Sequence, residues 1–303
     1  MPQPSWRRPA ESALRVGAPD CRAGFISLDR LPDPDQPPPQ VAPRPVRRAR
    51  WWHEVLLVVV FYGLYTLVRD IRGNKPVSVA QAFHNARRLI HVERWFGLFH
   101  EADMQHFFLH YRWLIEACDD FYGTLHFIAA VTVLVVLFVW FPSHYRRWRN
   151  TLAIATGLAL IGFMFFPLMP PRLLPPGYHF VDTLKVIGGL WNFSSGPVND
   201  VSNQYAAMPS LHTTWSAWCA CAVVAVIRPR WGKVLVFVYP AVTIFAILVT
   251  ANHFFGDVIA GLLLLVLSYY LSRLMTGWLD RRAAGHRHDP TVGPSVEQAE
   301  VRQ

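Results

Sequence analysis

Three short polar clusters interrupt the long apolar stretches of this sequence, and each contains a side chain that could do chemistry. Arg172 follows two prolines, His212 stands two residues after Ser210, and His253 stands four residues before Asp257. This last spacing predicts that His253 and Asp257 share one helix face, where the carboxylate can accept one imidazole N–H. The other nitrogen is then free and more basic, as a histidine nucleophile or general base requires. A structural pair that closes a helix end would have the same spacing.

The remaining three side chains suit the binding and transfer of a phosphoryl group. Arg172 carries a planar, permanent charge that matches phosphate, although an arginine at a membrane edge can also reach out to lipid headgroups. Ser210 follows a proline at a predicted helix start, where free backbone N–H groups attract anions, and it can equally serve as the helix N-cap. His212 falls in the first helical turn, as a catalyst or as an interfacial histidine. Taken together, the clusters predict a single site.

The elements that must position these residues are predicted to be membrane-spanning helices. Hydrophobic residues make up 52% of the 303 residues and charged residues only 16%, and the apolar residues fall in long runs. A helix needs about 20 mainly apolar residues to cross a bilayer. We therefore predict an all-α bundle of six spans, at residues 52–68, 122–141, 151–168, 211–227, 234–251 and 254–271. This membrane domain, 51–278, is predicted to lie between two disordered tails, the basic Pro-rich 1–50 and the polar 279–303.

The distribution of arginine predicts the orientation of the bundle. The two tails and the loops after the second and fourth spans are rich in arginine, and six spans place all four on one side. The positive-inside rule assigns that side to the cytoplasm, so the three polar clusters would face the outer leaflet of the plasma membrane. Because the arginines flank apolar runs and form no basic stripe, the net charge of +9 does not indicate nucleic-acid binding.

The segment between the first and second spans has its own helical pattern. Apolar residues recur at helical spacing in two pieces, from Val79 to Ile90 and from Met104 to Leu114. The simplest prediction is a pair of amphipathic helices lying on the membrane surface. A small extramembrane cap packed on the bundle would show the same periodicity.

The motif Pro-Ser-Leu-His at 209–212, followed about forty residues later by His253-x-x-x-Asp257, resembles a known family. It is similar to the second and third signatures of the type 2 phosphatidic acid phosphatase superfamily. The form with leucine resembles the branch that contains fungal inositol phosphorylceramide synthase, an inositolphosphotransferase. The family's pattern fits residues 76–271, which include Asn85-Ala86-Arg87, Glu93-Arg94 and Gly261.

The resemblance implies an integral membrane phosphatase or phosphotransferase that needs neither a metal nor another cofactor. His253 would attack phosphorus and form a phosphohistidine, and Asp257 would orient it. His212 would protonate the leaving alcohol and then activate water or an acceptor hydroxyl. Arg172 and Ser210 would hold the phosphate oxygens. The expected substrates are phospholipids, isoprenoid phosphates or inositol-containing lipids.

Two positions depart from the family's pattern. Phe165 stands where the first signature has a lysine, and Ile247 stands where the third has an arginine. Lys75, Lys185 and Arg88 are the cations that could replace them. These departures leave phosphoryl transfer between lipids open beside hydrolysis.

A transporter or channel and a haem protein are the alternative functions. A transporter would favour repeated halves and charges near the midplane, whereas the polar residues here cluster at one edge of the predicted bundle. A haem protein would need histidines that face each other from spanning helices. His126, His212 and His253 instead lie near the ends of predicted spans.

Overall fold

The computed structural model describes residues 51, 52, 54–56, 59, 60, 63, 78–187 and 208–285. The regular elements of this part of the chain are all helical, as predicted, and the described positions between 51 and 63 are helical too. The helices after residue 78 are α1 (Val79–Trp95), α2 (Glu101–Phe108), α3 (Arg112–Trp140), α4 (Pro142–Phe165), α5 (Thr183–Val186), α6 (Leu211–Val224), α7 (Arg230–Leu235), α8 (Val238–Val249) and α9 (Phe255–Gly285). Two short 3₁₀ turns, Pro171–Leu173 and Pro176–Tyr178, stand between α4 and α5.

Within the described residues, four helices are long and apolar enough to cross a bilayer. They are Arg112–Trp140, Pro142–Phe165, Arg230–Val249 and Phe255–Leu279, which correspond to the second, third, fifth and sixth predicted spans. Helix α6, the predicted fourth span, has only 14 residues, fewer than the roughly 20 that a crossing requires. Most of the predicted first span, 52–68, lies outside the described residues. Six spans therefore stay a prediction.

The helix ends differ from the predicted span ends for physical reasons. Helix α4 begins at Pro142, where a proline fits the first helical turn, and ends at Phe165, because Pro167 disfavours helical backbone in the residue before it. Helix α3 begins at Arg112 instead of 122, and α9 continues to Gly285, past the predicted end at 271. Hydropathy locates the apolar centre of a span and misses the polar turns that extend the same helix.

Helix α1 is packed against the segment that follows α4. Ser78 caps its start by accepting the N–H of Gln81 at 3.3 Å, and the Asn85 amide donates to the carbonyl of Pro167 at 2.8 Å. Its buried face and side chains from later segments form one core cluster. The α1 members are Ala82, Ala86, Leu89 and Ile90, and the later members are Leu168, Met169, Leu174 and Phe254. Its opposite face exposes Val92 and Trp95. These contacts agree with a cap packed on the bundle, and the placement of α1 and α2 on a membrane surface stays a prediction.

The rest of the bundle is centred on α6 and α9. Helix α9 packs against α4 and α6, and α6 also packs against α3 and α8. Trp148, Trp218 and Tyr269, which we call the tryptophan core, fill the space between α4, α6 and α9. The indole N–H of Trp218 donates to the carbonyl of Trp148 at 2.9 Å, so this large buried ring leaves no polar atom unpaired. The predicted N-terminal tail, 1–50, lies outside the described residues. The predicted C-terminal tail, 279–303, begins too early, because residues 279–285 belong to helix α9, and the rest of it lies outside the described residues.

Candidate active site

The short connection between α8 and α9 holds His253. Ala251 takes a left-handed conformation, with φ at 54°, and turns the chain away from the end of α8. The backbone N–H groups of Asn252 and His253 then both donate to the carbonyl of Ile247, at 3.0 and 3.1 Å. The backbone on both sides of His253 is therefore fixed, although the residue belongs to no helix.

The carboxylate of Asp257 contacts both His253 and the start of α9. Nδ1 of His253 lies 3.3 Å from Oδ2 of Asp257, and the Phe254 N–H donates to the same oxygen at 3.0 Å. The prediction that His253 and Asp257 share one helix face is wrong, because α9 begins at Phe255 and His253 precedes it. The contact forms because Asp257 reaches back over the helix start as a capping residue does. The two side chains are buried, with exposures of 5% and 0%.

His212 faces His253 from the first turn of α6. Nδ1 of His212 lies 3.3 Å from Nε2 of His253. Because Nδ1–H of His253 donates to Asp257, its Nε2 carries a lone pair, and the hydrogen-bonding pattern assigns the donor role to Nδ1–H of His212. The other surroundings of His212 are the rings of Tyr122 and His126 on α3, with centroid distances of 4.3 and 4.4 Å.

Ser210 is the N-cap of α6, which is one of the two roles predicted for it. Its hydroxyl accepts the N–H of Thr213 at 3.3 Å, and its own N–H donates to the carbonyl of Asp257 at 3.2 Å. Gly261 makes this approach of α6 and α9 possible, since a Cβ at that position would lie 2.6 Å from the carbonyl oxygen of Ser210. The start of α6 is thereby tied to the first turns of α9.

Arg172 joins the same group from the 3₁₀ turn after α4. The backbone N–H of Arg172 donates to the carbonyl of Ala251 at 2.9 Å, and its side-chain Nε donates to Oδ1 of Asn252, also at 2.9 Å. Nη1 lies 3.4 Å from a carboxylate oxygen of Asp182. The guanidinium is therefore held beside the His253 loop and does not extend along the protein surface.

The three polar clusters of the sequence thus meet at one place, which we call the site layer: Arg172, Ser210, His212, His253 and Asp257. Reading the sequence did not predict Asn252 or Asp182, which position Arg172, or Tyr122 and His126, which flank His212. The last pair had a usable signal, since Tyr122 and His126 are four residues apart on one helix and so share a face. Asp182 had none, because its partner lies on a separate turn of the chain.

A family model described as the PAP2 superfamily matches residues 87–271, which is more than half of the chain. The chain belongs to the PAP2 superfamily. Together with the four apolar helices, this membership indicates an integral membrane protein of phosphatase or phosphotransferase type. Comparison with curated proteins and with solved structures found no match.

The structure also places the two departures from the PAP2 superfamily pattern. Phe165 is 73% exposed at the end of α4, and Ile247 is fully buried in α8. Neither side chain can contribute a charge to the site layer. Of the three replacement cations, Lys185 lies 3.4 Å from Asp182, the carboxylate that also contacts Arg172. Arg88 is exposed on α1, and Lys75 lies outside the described residues.

Proposed function

We propose that this protein is a membrane enzyme that transfers phosphoryl groups of lipid substrates through a phosphohistidine on His253. One observation carries the proposal: Nδ1 of His253 contacts Asp257 and its Nε2 contacts His212, each at 3.3 Å. The Asp257 carboxylate fixes the tautomer of His253. The His212 imidazole lies beside the Nε2 atom that would attack phosphorus, so it can donate a proton to the leaving group and later accept one from the acceptor. Covalent catalysis of this kind divides one difficult displacement into two easier ones.

In the first step, the Nε2 lone pair of His253 forms a bond to phosphorus as the bond from phosphorus to the leaving oxygen breaks. His212 acts as the general acid and gives a proton to that leaving oxygen. Asp257 accepts the Nδ1–H of His253 and stabilises the positive charge that develops on the ring. Because His212 occupies the lone pair of His253 in the free protein, an incoming phosphate replaces this imidazole contact.

In the second step, the neutral His212 takes a proton from water or from an acceptor hydroxyl. The oxygen attacks phosphorus, the bond from phosphorus to nitrogen breaks, and His253 is regenerated. The guanidinium of Arg172 and the N–H groups at the start of α6, beside Ser210, bind the phosphate oxygens as charge develops on them. From a phosphomonoester substrate, water as acceptor gives inorganic phosphate and an alcohol gives a new phosphomonoester. From a phosphodiester substrate, water gives a phosphomonoester and an alcohol gives a new phosphodiester.

The proposed substrates are phospholipids, isoprenoid phosphates or inositol-containing lipids. The loss of two family cations, at Phe165 and Ile247, distinguishes this chain from the common phosphatase pattern and keeps an inositolphosphotransferase-like reaction among the proposals. The basic loops and tails favour a plasma-membrane enzyme with cytoplasmic tails and a site at the outer leaflet. In the outer leaflet, the phosphate of a lipid lies at the same depth as the ends of the spanning helices that carry the site.

The deciding experiment uses the full-length protein purified in detergent and returned to lipid vesicles. A panel of lipid phosphomonoesters and phosphodiesters is supplied with and without acceptor lipids, and released phosphate, new phosphomonoester and new phosphodiester are measured. We expect at least one of these products from the wild type and none from His253→Ala. Flux across the vesicle membrane with no product from any lipid would instead favour a transporter and refute the proposal.

A further inference from the structure

Helices α1 and α2 place two buried carboxyl groups at the start of α9, directly after the His253 loop. Glu93 and Glu101 are 2% and 0% exposed. Oε1 of Glu101 accepts the N–H of Phe255 at 2.9 Å, and Oε1 of Glu93 accepts the N–H of Gly256 at 2.6 Å. Both contacts join residues far apart in the sequence, so the segment before α3 is tied to the candidate site.

Three consecutive backbone N–H groups at this helix start therefore donate to three different carboxyl groups. Asp257 takes the N–H of Phe254, and the two glutamates take the next two. The first N–H groups of a helix have no partner inside the helix and carry its positive dipole end, which favours acidic acceptors. Asp257 contacts His253 through the same oxygen that accepts from Phe254, so the geometry of the pair depends on this helix start.

Gly256 allows α1 to come close enough for these contacts. A Cβ at position 256 would lie 2.6 Å from Cδ1 of Leu89 and 3.2 Å from Oε1 of Glu93. Any larger residue would force the ends of the Leu89 and Glu93 side chains to move. Glycine at this position therefore leaves room for the Glu93 carboxyl group to reach the backbone.

The surroundings of the two glutamates offer too few hydrogen-bond donors for their carboxyl oxygens. Oε2 of each is buried, and no described residue donates a hydrogen bond to either oxygen. Burial first, and then the neighbouring Glu101 carboxylate, raise the pKa of Glu93 to about 8. Burial also raises the pKa of Glu101. A proton held between the two carboxyl groups at neutral pH would satisfy an otherwise unpaired oxygen and would remove the repulsion between two like charges.

We propose that Glu93 and Glu101, joined by one shared proton, are positioning residues that hold the start of α9 so that Asp257 and His253 keep their reactive geometry. This inference rests on the proposed function. Neither glutamate touches the reacting atoms, since each acts through the backbone of residues 255 and 256. Misplacing a catalytic group by about 1 Å can cost on the order of 100-fold in rate.

The shared proton makes the arrangement sensitive to pH. The charged groups that face Glu93 are Glu101, from α2, and Asp257, from α9. As the pH rises through about 8, Glu93 loses its proton and three carboxylates then face one another. The repulsion loosens the helix start, so turnover should fall on the alkaline side. In Glu93→Gln the side chain stays neutral at every pH, keeps an oxygen for the Gly256 N–H, and can donate to Glu101.

The test compares Glu93→Ala, Glu93→Gln and Glu101→Ala with the wild type in vesicles, using a lipid phosphate that the wild type converts. Asp103→Ala on α2 is the matched control, since its carboxylate is 87% exposed. We expect the two alanine variants to lower kcat by about 10- to 100-fold while KM changes by less than about threefold. Glu93→Gln should keep most of kcat and lose part of the alkaline decline. Equal kcat in all variants, or an unchanged pH profile for Glu93→Gln, would overturn the proposal.

Hydrogen exchange separates this proposal from the proposed function. The amides of 255 and 256 should be protected in the wild type and in Glu93→Gln, and should lose protection in Glu93→Ala while the rest of α9 keeps it. An active wild type, an inactive His253→Ala and normal glutamate variants would refute the positioning role alone. If no lipid phosphate is converted, the proposed function fails, and unchanged exchange at 255 and 256 in Glu93→Ala would still refute the positioning role of the glutamates. If Glu93→Ala does not fold, the pH profile and exchange of Glu93→Gln remain decisive.

Discussion

The site layer and the tryptophan core use buried polar atoms in different ways. In the tryptophan core, side-chain donors end on backbone carbonyls: Trp218 donates to Trp148, and the nearby Ser272 hydroxyl donates to the carbonyl of Arg147 at 3.1 Å. In the site layer, side chains contact other side chains, as in the contacts of His253 with His212 and Asp257. The first pattern fixes the packing of helices, and the second leaves groups that can exchange protons or partners.

Unpaired carboxyl oxygens sharpen the contrast. Among the described residues, the buried side-chain atoms without a hydrogen-bond partner are Glu93 Oε2, Glu101 Oε2, Asp119 Oδ2, Tyr239 Oη, Asp257 Oδ1 and Ser268 Oγ. The carboxyl groups among them belong to the site layer or to elements that contact it. Leaving a buried polar atom unpaired costs about 1–3 kcal/mol, which is tolerated where a proton or ligand can complete the site. Substitutions in the site layer should therefore lower turnover with little loss of stability, whereas substitutions in the tryptophan core should lower stability with little loss of turnover.

The largest effect is expected for His253→Ala. Removing the nucleophile should lower turnover by about 10⁴-fold or more, because the residual rate then depends on binding alone. Thermal unfolding followed by tryptophan fluorescence should change little, since the ring belongs to the site layer and not to the core. His84→Ala, an exposed histidine on α1, is the control and should keep full activity. Normal turnover by His253→Ala would remove it as nucleophile.

A somewhat smaller loss is expected for Asp257→Asn. The amide keeps the shape of the carboxylate but cannot stabilise a positive imidazole, so kcat should fall by roughly 10³-fold. KM for the lipid phosphate should stay near the wild-type value, because the substitution does not touch the phosphate. Asp103→Asn serves as the charge-matched control. An equal rise in KM with unchanged kcat would mean that Asp257 acts on binding and not on His253.

Arg172→Lys should act mainly on binding. A lysine ammonium cannot form the fork that contacts Asn252 and a phosphate at the same time. Loss of one charged hydrogen bond is worth about 1.5–3 kcal/mol, so KM should rise by about 10- to 100-fold in steady-state assays. Arg230→Lys, on an exposed position of α7, should leave KM unchanged. An unaltered KM in Arg172→Lys would argue against phosphate binding by this residue.

The smallest effect on turnover is expected for Trp218→Ala, which instead tests the other region. Removing this fully buried ring should lower the free energy of unfolding by about 3–5 kcal/mol, seen as a lower melting temperature in detergent. The activity per folded molecule should stay within about twofold, because distant sites act independently. Loss of turnover without loss of stability would show that the comparison between the two regions is wrong.

Parts of the fold could be predicted because they depend on local chemistry. Long apolar runs located α3, α4, α8 and α9, and the motif at 209–212 with His253 and Asp257 led to the superfamily that the family model then matched. The helix-face argument for His253 was wrong, because periodicity says nothing about where a helix begins. That boundary depends on Ala251 and on acceptors from other elements, Glu101 and Glu93.

The sequence by itself determined that the chain is helical, that it is apolar enough for a bilayer, and that chemically active residues stand where apolar runs end. Those properties follow from composition and spacing, which each segment carries alone. Tertiary structure decided that α1 and α2 send Glu93 and Glu101 to the start of α9, and that Arg172 reaches Asn252. Such contacts join residues about 80 to 160 positions apart, so they exist only once packing has brought separate helices together.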